Sequence, residues 1–397
     1  MVWQSRPEIV RMISPVIPRL KLLFAILVLG LSGCNSMNNP PAPPAQSTSL
    51  AFVSNSGSGT VSAFTINTNG TLSPATGSPF AAGAGAEFMA HDPIHKLLFV
   101  SNQAANTLSA FSVNTASGML TAVPGSPFAT GARPTAVTVD SAGRFVLVAN
   151  QSGNSIAVFS IGSNGVLTPV AGSPFPANSP YGLSVSPSGT ALYATNFPDS
   201  QISDLNTVSA FSIASNGALS AITGSPFADA NSTSGFASAI SILADPSGKF
   251  VFVGDHMAQS VVPFTVNPAT SSLTAASTLP TPAASCGTSC HNNPLRLAVD
   301  PADKFLFSTN VAAGTVSVFN INSGNLTSIA EVPTGSHPFG VATDPTGHFL
   351  YVVNKADNSI SGFALNSATG VLTPMTGFPK SEGGNAPTDI VIVPISM

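Results

Sequence analysis

The chain has 397 residues, of which 43% are hydrophobic and 7% are charged, and its formal net charge is −4. Disordered chains carry more charge, coiled coils need abundant Ala, Glu, Lys and Leu, and nucleic-acid binders need a basic surface, so the composition excludes all three classes. A chain of this length ordinarily forms two or three domains, but a single all-β domain can also reach it.

The chain begins with the pattern of an export signal. Two basic residues precede an apolar run over residues 22–31, which is too short to span a bilayer and has the length of a signal-peptide core. The run leads into Leu-Ser-Gly-Cys, which resembles a bacterial lipobox and implies cleavage before Cys34 and lipidation of its thiol. We therefore predict a lipoprotein signal peptide over residues 1–33. An ordinary secretory signal followed by an unrelated cysteine is the alternative.

Residues 34–49 predict an unpacked tether, because they hold four prolines among Asn, Ser and Gln. After removal of residues 1–33 the chain keeps 8 basic and 15 acidic residues, a formal net charge of −7. That balance repels polyanions, so we expect no nucleic-acid partner. We expect the protein in the bacterial cell envelope, on the periplasmic or surface side, with only its lipid in the membrane.

The remainder of the chain, residues 50–397, is one unit repeated seven times. Two columns of residues mark the units, at spacings of 44 to 59 residues. The first column ends a strand in each unit and consists of Asn55, Asn102, Asn150, Asn196, Asp255, Asn310 and Asn354. The second column follows it and consists of Phe64, Phe111, Phe159, Phe211, Phe264, Phe319 and Phe363. Seven units of roughly 45 residues match the four-stranded blades of a β-propeller.

Each unit reads as four short strands, A to D in chain order, separated by turns rich in Pro, Gly, Asn and Asp. Several strands are continuously apolar, which predicts burial on both faces, as between stacked blades. The first unit starts at Leu50 without a strand A, whereas residues 387–394 align with strand A and have no further strand after them. We therefore predict an all-β, seven-bladed propeller with four-stranded blades, closed by the C-terminal strand joining the first blade.

The units resemble those of a known family. Residues 344–354, DPTGHFLYVVN, and 358–363, NSISGF, are similar to the repeats of seven-bladed lactonase and YVTN-type propellers. The resemblance extends over residues 50–397 and implies the architecture. It does not select an activity, because the same blade occurs in lactone hydrolases, a muconate cycloisomerase and many binding proteins.

Long connections in three places indicate a functional end of the ring. In such blades the B–C and D–A loops share one end, and the connections over residues 197–206, 228–237 and 279–293 all fall there. Loops that vary at one rim favour a ligand or partner face, although drift in a tolerant surface is the alternative. Cys286 and Cys290 in the third connection predict a local disulfide in an oxidising compartment. A haem c attachment site is the weaker interpretation, because one residue too many separates the cysteines.

Polar side chains gather near the axis at the same end. Arg296 and Asp389 depart from a column of small residues that includes Gly340, and they flank the blade that carries His337. An ion pair that satisfies two buried charges is one interpretation, and a ligand site is the other. With Glu87, these groups form a ring at the loop-bearing mouth of the channel. The predicted ligand-binding residues are Arg133, Tyr181, Arg296, His337 and Asp389.

The same groups could catalyse lactone hydrolysis, which requires an activated water and a cation that holds the developing oxyanion. His337 with Asp389 or Glu87 could activate the water. Arg296 or Arg133 could hold the oxyanion. The resemblance to lactonase-type propellers implies His, Glu and Arg in the channel, which agrees in residue type, but the sequence does not show the His-rich strand A motif of phosphogluconolactonases. The candidate catalytic residues are His337, Arg296, Asp389 and Glu87.

Two functional classes follow. The first is a lipid-anchored propeller that binds a partner protein or a small ligand at the mouth, with no chemistry of its own. The second is a metal-independent lactone hydrolase acting at the same place. We expect no metal or other cofactor, because the sequence shows no metal-ligand spacing, and we expect a monomer. Lys355 and Lys380 are interpreted as loop residues.

Overall fold

The computed structural model describes residues 47–197, 207–229, 238–256, 258–276, 279–280 and 294–395. The regular secondary structure in these ranges consists of β-strands, and the strands form seven antiparallel sheets. The described residues contain no helix of the length and apolarity that crossing a membrane requires. The signal peptide with Cys34, the pair Cys286 and Cys290, and most of the three long connections lie outside the described residues.

The strands are numbered in chain order, and each sheet is called a blade. Blade 1 begins with β1 Ser47–Asn55, β2 Thr60–Asn67, β3 Leu72–Pro74 and β4 Phe80–Ala81. Blades 2 and 3 consist of β5 Ala86–Asp92, β6 Leu97–Asn102, β7 Thr107–Val113, β8 Leu120–Ala122, β9 Phe128–Ala129, β10 Pro134–Val139, β11 Phe145–Asn150, β12 Ser155–Ile161, β13 Leu167–Pro169 and β14 Phe175–Pro176. Blades 4 and 5 consist of β15 Pro180–Val185, β16 Ala191–Asn196, β17 Thr207–Ile213, β18 Leu219–Ala221, β19 Phe227–Ala228, β20 Ala239–Ala244, β21 Phe250–Asp255, β22 Ser260–Val266, β23 Leu273–Ala275 and β24 Leu279–Pro280. Blades 6 and 7 consist of β25 Pro294–Val299, β26 Phe305–Asn310, β27 Thr315–Asn322, β28 Asn325–Pro333, β29 Pro338–Thr343, β30 Phe349–Asn354, β31 Ser359–Leu365, β32 Leu372–Pro374 and β33 Lys380–Ser381, and β34 Pro387–Pro394 completes blade 1.

The C-terminal strand closes the ring, as the sequence predicts. β34 pairs with β1 from Asn55↔Pro387 to Ser49↔Pro394, so blade 1 takes strands from both ends of the propeller. The innermost strands contact one another in the cyclic order β5, β10, β15, β20, β25, β29, β34 and back to β5. The seven blades therefore surround one central channel, and β1 is paired on both sides, with β2 and with β34.

The outer edge of the blades is more elaborate than four strands. In six blades of the described ring, the third strand pairs with the fourth along one half and with a two-residue fifth strand along the other, as β12 does with β13 and β14. Four of these connections have the sequence Gly-Ser-Pro-Phe, and in blade 3 the Ser173 hydroxyl accepts the Val158 N–H at 2.9 Å where the two halves meet. In blade 6, the nine-residue β28 pairs along all of β27 instead.

Side chains from neighbouring blades form the core. Every Phe of the repeated column is buried, with no more than 7% of its surface exposed. Between blades 3 and 4, Leu147 and Val158 pack with Leu192 and Phe211 in one cluster. All six residues of β11 are buried, as its continuously apolar sequence predicts. Each such large apolar side chain stabilises the fold by about 1.5–3 kcal/mol, so these clusters hold the blades together.

Hydrogen bonds between blades fix the inner strands where they face the channel. Each inner strand has an irregular register near the end where it begins or, in β34, where it meets the end of β1. In β15 the Gly182 N–H at this point donates to the Thr195 hydroxyl at 2.8 Å. That hydroxyl donates to the Ile240 carbonyl of the next blade at 3.0 Å. The backbone that carries the predicted site is therefore held from two sides.

Candidate functional site

All seven inner strands begin at the same end of the ring. The first residue of an inner strand pairs with the repeated Asn that ends the second strand, as in Pro134↔Asn150 and Pro338↔Asn354. The loops before the first strand and after the second strand therefore meet at one end, which we call the mouth. The predicted site residues lie there: Glu87 on β5, Tyr181 on β15, Arg296 on β25, Asp389 on β34, and Arg133 and His337 directly before β10 and β29.

Three side chains from alternate blades meet across the channel. Phe88 of blade 2 lies edge to face against Tyr181 of blade 4, with 5.9 Å between the ring centroids. The guanidinium carbon of Arg296 in blade 6 lies 3.6 Å from the centroid of the same Phe88 ring. Ala136 and Gly340 occupy the same column in other blades and leave room for these contacts. The mouth therefore has an aromatic floor, formed by Phe88 and Tyr181.

Arg296 presents a cation that has no acceptor among the described residues. Its Nε atom is buried and has no hydrogen-bond partner, and its guanidinium makes no hydrogen bond or ion pair with the described residues. The Asp389 carboxylate instead accepts the Met89 N–H at 2.9 Å. The direct ion pair between Arg296 and Asp389 is thus not formed, and the two charges attract each other over a longer distance. Stacking on Phe88 holds the guanidinium in place.

The two carboxyl groups of the mouth bind protons more readily than ordinary ones. Burial raises the pKa of Glu87. The positive charges of Lys355, Arg296 and Arg133 oppose that rise, so all three cations lie within electrostatic reach of the carboxyl. Burial also raises the pKa of Asp389, and Arg296 and two backbone N–H groups oppose this. The mouth therefore places two proton-accepting groups beside three permanent positive charges.

Lys355 is a mouth residue that the sequence alone assigns to a loop. Its Nζ atom lies 4.4 Å from the centroid of the Phe339 ring. Among the cations it acts most strongly on the Glu87 carboxyl. It directly follows Asn354, and its backbone N–H donates to the His337 carbonyl at 2.9 Å. The place after the repeated Asn was the available signal, because that place lies at the mouth in every blade.

Arg133 and His337 occupy the rim. Both have left-handed backbone conformations, with φ of 53° and 54°, and both are exposed. The His337 side chain makes no hydrogen bond or ion pair with the described residues, and it is not among the groups that shift the pKa of Glu87 or Asp389. The structure therefore does not bring the His337 imidazole to the carboxyl groups of Glu87 and Asp389.

Four of the predicted residues do come together, namely Glu87, Tyr181, Arg296 and Asp389. Burial raises the pKa of Tyr181 to about 12, so its phenol keeps its proton and can donate a hydrogen bond. Phe88 and Lys355 complete the group. The described residues contain no cluster of three His, Cys, Asp or Glu side chains suited to a metal ion. The arrangement can attract an anion, and it can accept or donate protons.

Two solved structures illustrate the shared architecture. A candidate 6-phosphogluconolactonase from Bacteroides fragilis has a TM-score of 0.74 at 22% identity, covering 88% of this chain and 99% of its own. A periplasmic gluconolactonase from Pseudomonas aeruginosa has a TM-score of 0.73 at 18% identity, covering 88% of this chain and 100% of its own. At these identities the likeness shows the fold alone. No curated protein sequence matches the chain.

A family model supplies the assignment. The model described as Lactonase, 7-bladed beta-propeller, matches residues 45–205 and 276–386. These segments make up more than half of the chain, and they contain Glu87, Tyr181 and Arg296. The chain therefore belongs to the lactonase family of seven-bladed β-propellers.

Proposed function

We propose that this propeller binds a small anionic ligand at the mouth, with Arg296 as the central contact. The observation that carries the proposal is the Arg296 guanidinium, which is stacked on Phe88 and has no acceptor among the described residues. A guanidinium presents its donors in a fixed fork that matches a carboxylate or a phosphate. Because stacking already sets its position, little side-chain freedom is lost on binding.

The charge distribution supports an anion at this place. The chain has a net charge of −4 and only 12 Lys and Arg residues, yet three of them act on the Glu87 carboxyl. Lys355 and Arg133 thus add to the positive potential of Arg296 at the mouth. Uptake of a proton by Glu87 would make the mouth more positive still. An anion that reaches the floor therefore meets a local field opposite in sign to that of the whole chain.

We also propose that a lipid on Cys34 holds the propeller at the bacterial cell envelope. The lipobox pattern that ends at Cys34 supports this, and one structural relative is named as a periplasmic protein. Globomycin should block maturation, and Cys34→Ala should move the protein out of the membrane fraction. A Cys34→Ala protein that stays membrane-bound would contradict the anchor.

Isothermal titration calorimetry of the full chain in detergent tests the binding proposal. The anionic probes are gluconate, chosen from the names of the structural relatives, and butanoate, and glucose is the neutral probe. We expect at least one carboxylate to bind and glucose not to bind. Arg296→Met should weaken carboxylate binding about 10-fold to 100-fold, the loss expected when a charge-assisted hydrogen bond is removed.

Arg144 offers a matched control for this substitution. It also lies against an aromatic ring, 5.2 Å from the centroid of Phe145, but at the end of the ring opposite the mouth. Arg144→Met should leave carboxylate affinity unchanged. Equal losses in Arg144→Met and Arg296→Met, or the lack of binding by both carboxylates, would refute the proposal.

Lactone hydrolysis is a second candidate function, and the raised pKa of Glu87 is the observation that favours it. A carboxyl group that titrates above its ordinary range can take a proton from an attacking water. Arg296 and Lys355 could then stabilise the negative charge on the carbonyl oxygen. The names of the structural relatives are consistent with this chemistry.

A lactone panel tests this second function. We expect Glu87→Gln to lose turnover by about 100-fold or more, the usual effect of removing a general base. His337→Ala should keep turnover, because His337 does not contact the floor. Turnover lost in His337→Ala alone would restore the catalytic role that the sequence suggests for that residue. Undetectable hydrolysis by the unmodified chain would leave ligand binding as the function.

A further inference from the structure

The start of the inner strands differs between two halves of the ring. At the second position of the inner strands, blades 4 to 7 carry aromatic or aliphatic side chains, whereas blades 1 to 3 carry polar ones. The first set is Tyr181, Ile240, Leu295 and Phe339. The second set is Thr388, Glu87 and Thr135. The polar set follows directly after the apolar set around the ring, so the division is between two continuous arcs.

The residues that follow the repeated Asn are all polar in blades 1 to 3, whereas two of the four in blades 4 to 7 are apolar. In blades 1 to 3 these residues are Ser56, Gln103 and Gln151. Blades 4 to 7 have Phe197, His256, Val311 and Lys355. Phe197, Val311 and Phe339 are only partly buried, and they pack against the cluster that contains the floor. We call these three residues the apolar wall.

We infer that the ligand of the mouth is an amphipathic monocarboxylate, whose carboxylate binds Arg296 and Lys355 and whose alkyl chain lies on the apolar wall. This inference rests on the proposed function and narrows it to one ligand class. The two cations come from blades 6 and 7, the same arc as the wall. The Lys355 Nζ atom lies against the ring of Phe339, itself a wall residue.

The position of the cations decides where the two ends of the ligand lie. Arg296 reaches from blade 6, on the apolar arc, to Phe88 in blade 2, on the polar arc, so its guanidinium lies between the two arcs. Glu87 and Asp389 occupy the polar arc and would repel a second negative group there. A ligand with one carboxylate and an uncharged tail avoids that repulsion. Its tail then has the apolar wall as the remaining surface to cover.

A polyhydroxylated acid matches this wall poorly. Phe197, Val311 and Phe339 have no side-chain polar atoms, so sugar hydroxyls placed against them would lose water without gaining a partner. An alkyl chain gains affinity on the same surface, because burial of each methylene is favourable by about fourfold in the binding constant. The apolar wall therefore favours alkyl carboxylates over sugar acids.

Isothermal titration of the full chain with a series of carboxylates tests the inference. Acetate, butanoate, hexanoate and octanoate are titrated in detergent, with a protein-free titration subtracted, and gluconate is titrated alongside them. We expect affinity to rise about threefold to fourfold per methylene until the wall is covered. Octanoate should bind at least about 10-fold more tightly than gluconate.

Substitutions on the two arcs provide matched variants. Val311→Ser removes part of the apolar wall, and Gln103→Ser changes the equivalent position on the polar arc. Val311→Ser should weaken octanoate binding about fivefold and leave acetate binding unchanged. Gln103→Ser should change neither. Because both positions are partly exposed, we expect both variants to melt at the temperature of the parent chain. This melting temperature is the control for correct folding.

The outcomes separate the inference from the function on which it rests. Affinity that does not rise with chain length, or gluconate that binds more tightly than octanoate, would overturn the inference. If Arg296→Met still weakened gluconate binding in that case, the proposed function would stand. The lack of binding by every carboxylate would overturn both.

Discussion

The two ends of the ring are made from the same repeated unit but differ in how strictly they repeat it. At the end opposite the mouth, Asp140 Oδ1 accepts the Arg144 and Phe145 N–H groups at 2.6 and 2.7 Å. Asp300 and Asp344 accept the equivalent pairs of N–H groups in their own blades. One capping device thus serves several blades, and its purpose is to hold the turn between the first and second strands.

The mouth keeps the backbone of the repeat and changes the side chains. Phe88, Arg296 and Asp389 interrupt a column that elsewhere contains residues as small as Ala136 and Gly340. Phe88 and Arg296 contact each other across the channel, and Asp389 accepts an N–H of the neighbouring blade. The repeated residues mostly contact their own blade or the next. The repeated residues therefore hold the fold, and the residues that depart from the repeat form the candidate site.

Removal of residues 389–397 should have the largest effect, because it affects both ends of the ring. β34 pairs with β1 and contacts β5 and β29, so the truncation opens the ring and exposes the edge of β1. We expect a loss of stability greater than the roughly 3–5 kcal/mol of one large core truncation. Circular dichroism melting measures it, and a truncated chain that melted with the parent would show that closure contributes nothing.

Phe159→Ala tests a repeated residue. Phe159 is 4% exposed and packs in the core cluster that extends from blades 2 and 3 to the floor of the mouth, so its truncation should cost about 3–5 kcal/mol of unfolding free energy. Carboxylate affinity should not change, because Phe159 lies four residues along β12 from Ser155, which pairs with Asn150 at the mouth. Urea unfolding and calorimetry on the same sample give both numbers. A loss of affinity without a loss of stability would place Phe159 in the site instead.

Gly340→Ala tests a position where the backbone of Asp389 leaves room only for a small residue. A Cβ atom at this position would lie 2.8 Å from the Asp389 Cα, so the inner strands of blades 7 and 1 would have to separate. We expect a cost of about 1–3 kcal/mol in the free energy of unfolding, together with weaker carboxylate binding. Urea unfolding and calorimetry measure the two effects. A variant equal to the parent in both would mean that these strands are not closely packed.

The smallest predicted effect concerns Asp303, which departs from the repeat at the end opposite the mouth. Asp303 has a left-handed conformation, with φ of 55°, at a turn position where Gly143, Gly248 and Gly347 stand in other blades. Burial, and then the negative charge and a hydrogen bond of Asp245, raise the pKa of Asp303 to about 6. The carboxyl is therefore held next to another acid that disfavours its charged form.

The sign of the resulting pH dependence follows from the direction of this shift. An unfolded Asp titrates near pH 4, so the folded protein binds more protons between about pH 4 and pH 6, and Asp303 destabilises the fold as pH rises through that window. Asp303→Gly should raise the melting temperature at pH 7 by a few degrees at most, because solvent screens this group, and by less at pH 5. If Asp303→Gly raised the melting temperature equally at pH 5 and at pH 7, the interaction of Asp303 with Asp245 would be contradicted.

The fold could be predicted in most of its detail because repetition averages out local ambiguity. The repeated Asn and Phe columns fixed seven units, and the unpaired ends of the repeat predicted the pairing of β34 with β1. The fifth strand of the blades was not predicted. Two-residue strands carry too little periodicity to be seen, and the hydroxyl of Ser173 that organises the junction acts only once the third strand is in place.

The candidate site could be predicted only where the position of a residue in the aligned repeats determines the direction of its side chain. Glu87, Arg296 and Asp389 come together because each lies near the start of an inner strand, a position that the alignment of the repeats gives. His337 was expected with them, but it precedes its strand in a left-handed conformation and is exposed. Lys355 was missed because its approach to Phe339 depends on the path of a loop. The contacts of Phe88 with blades 4 and 6 were not predicted, because they require the closed ring.

A crystal structure of the full chain with octanoate is the sharpest test of whether Arg296 and the apolar wall bind an alkyl carboxylate. We expect the carboxylate within hydrogen-bonding distance of the Arg296 guanidinium, and the alkyl chain against Val311 and Phe339. Octanoate bound at the end opposite the mouth, or bound at the mouth without contact to Arg296, would contradict this expectation.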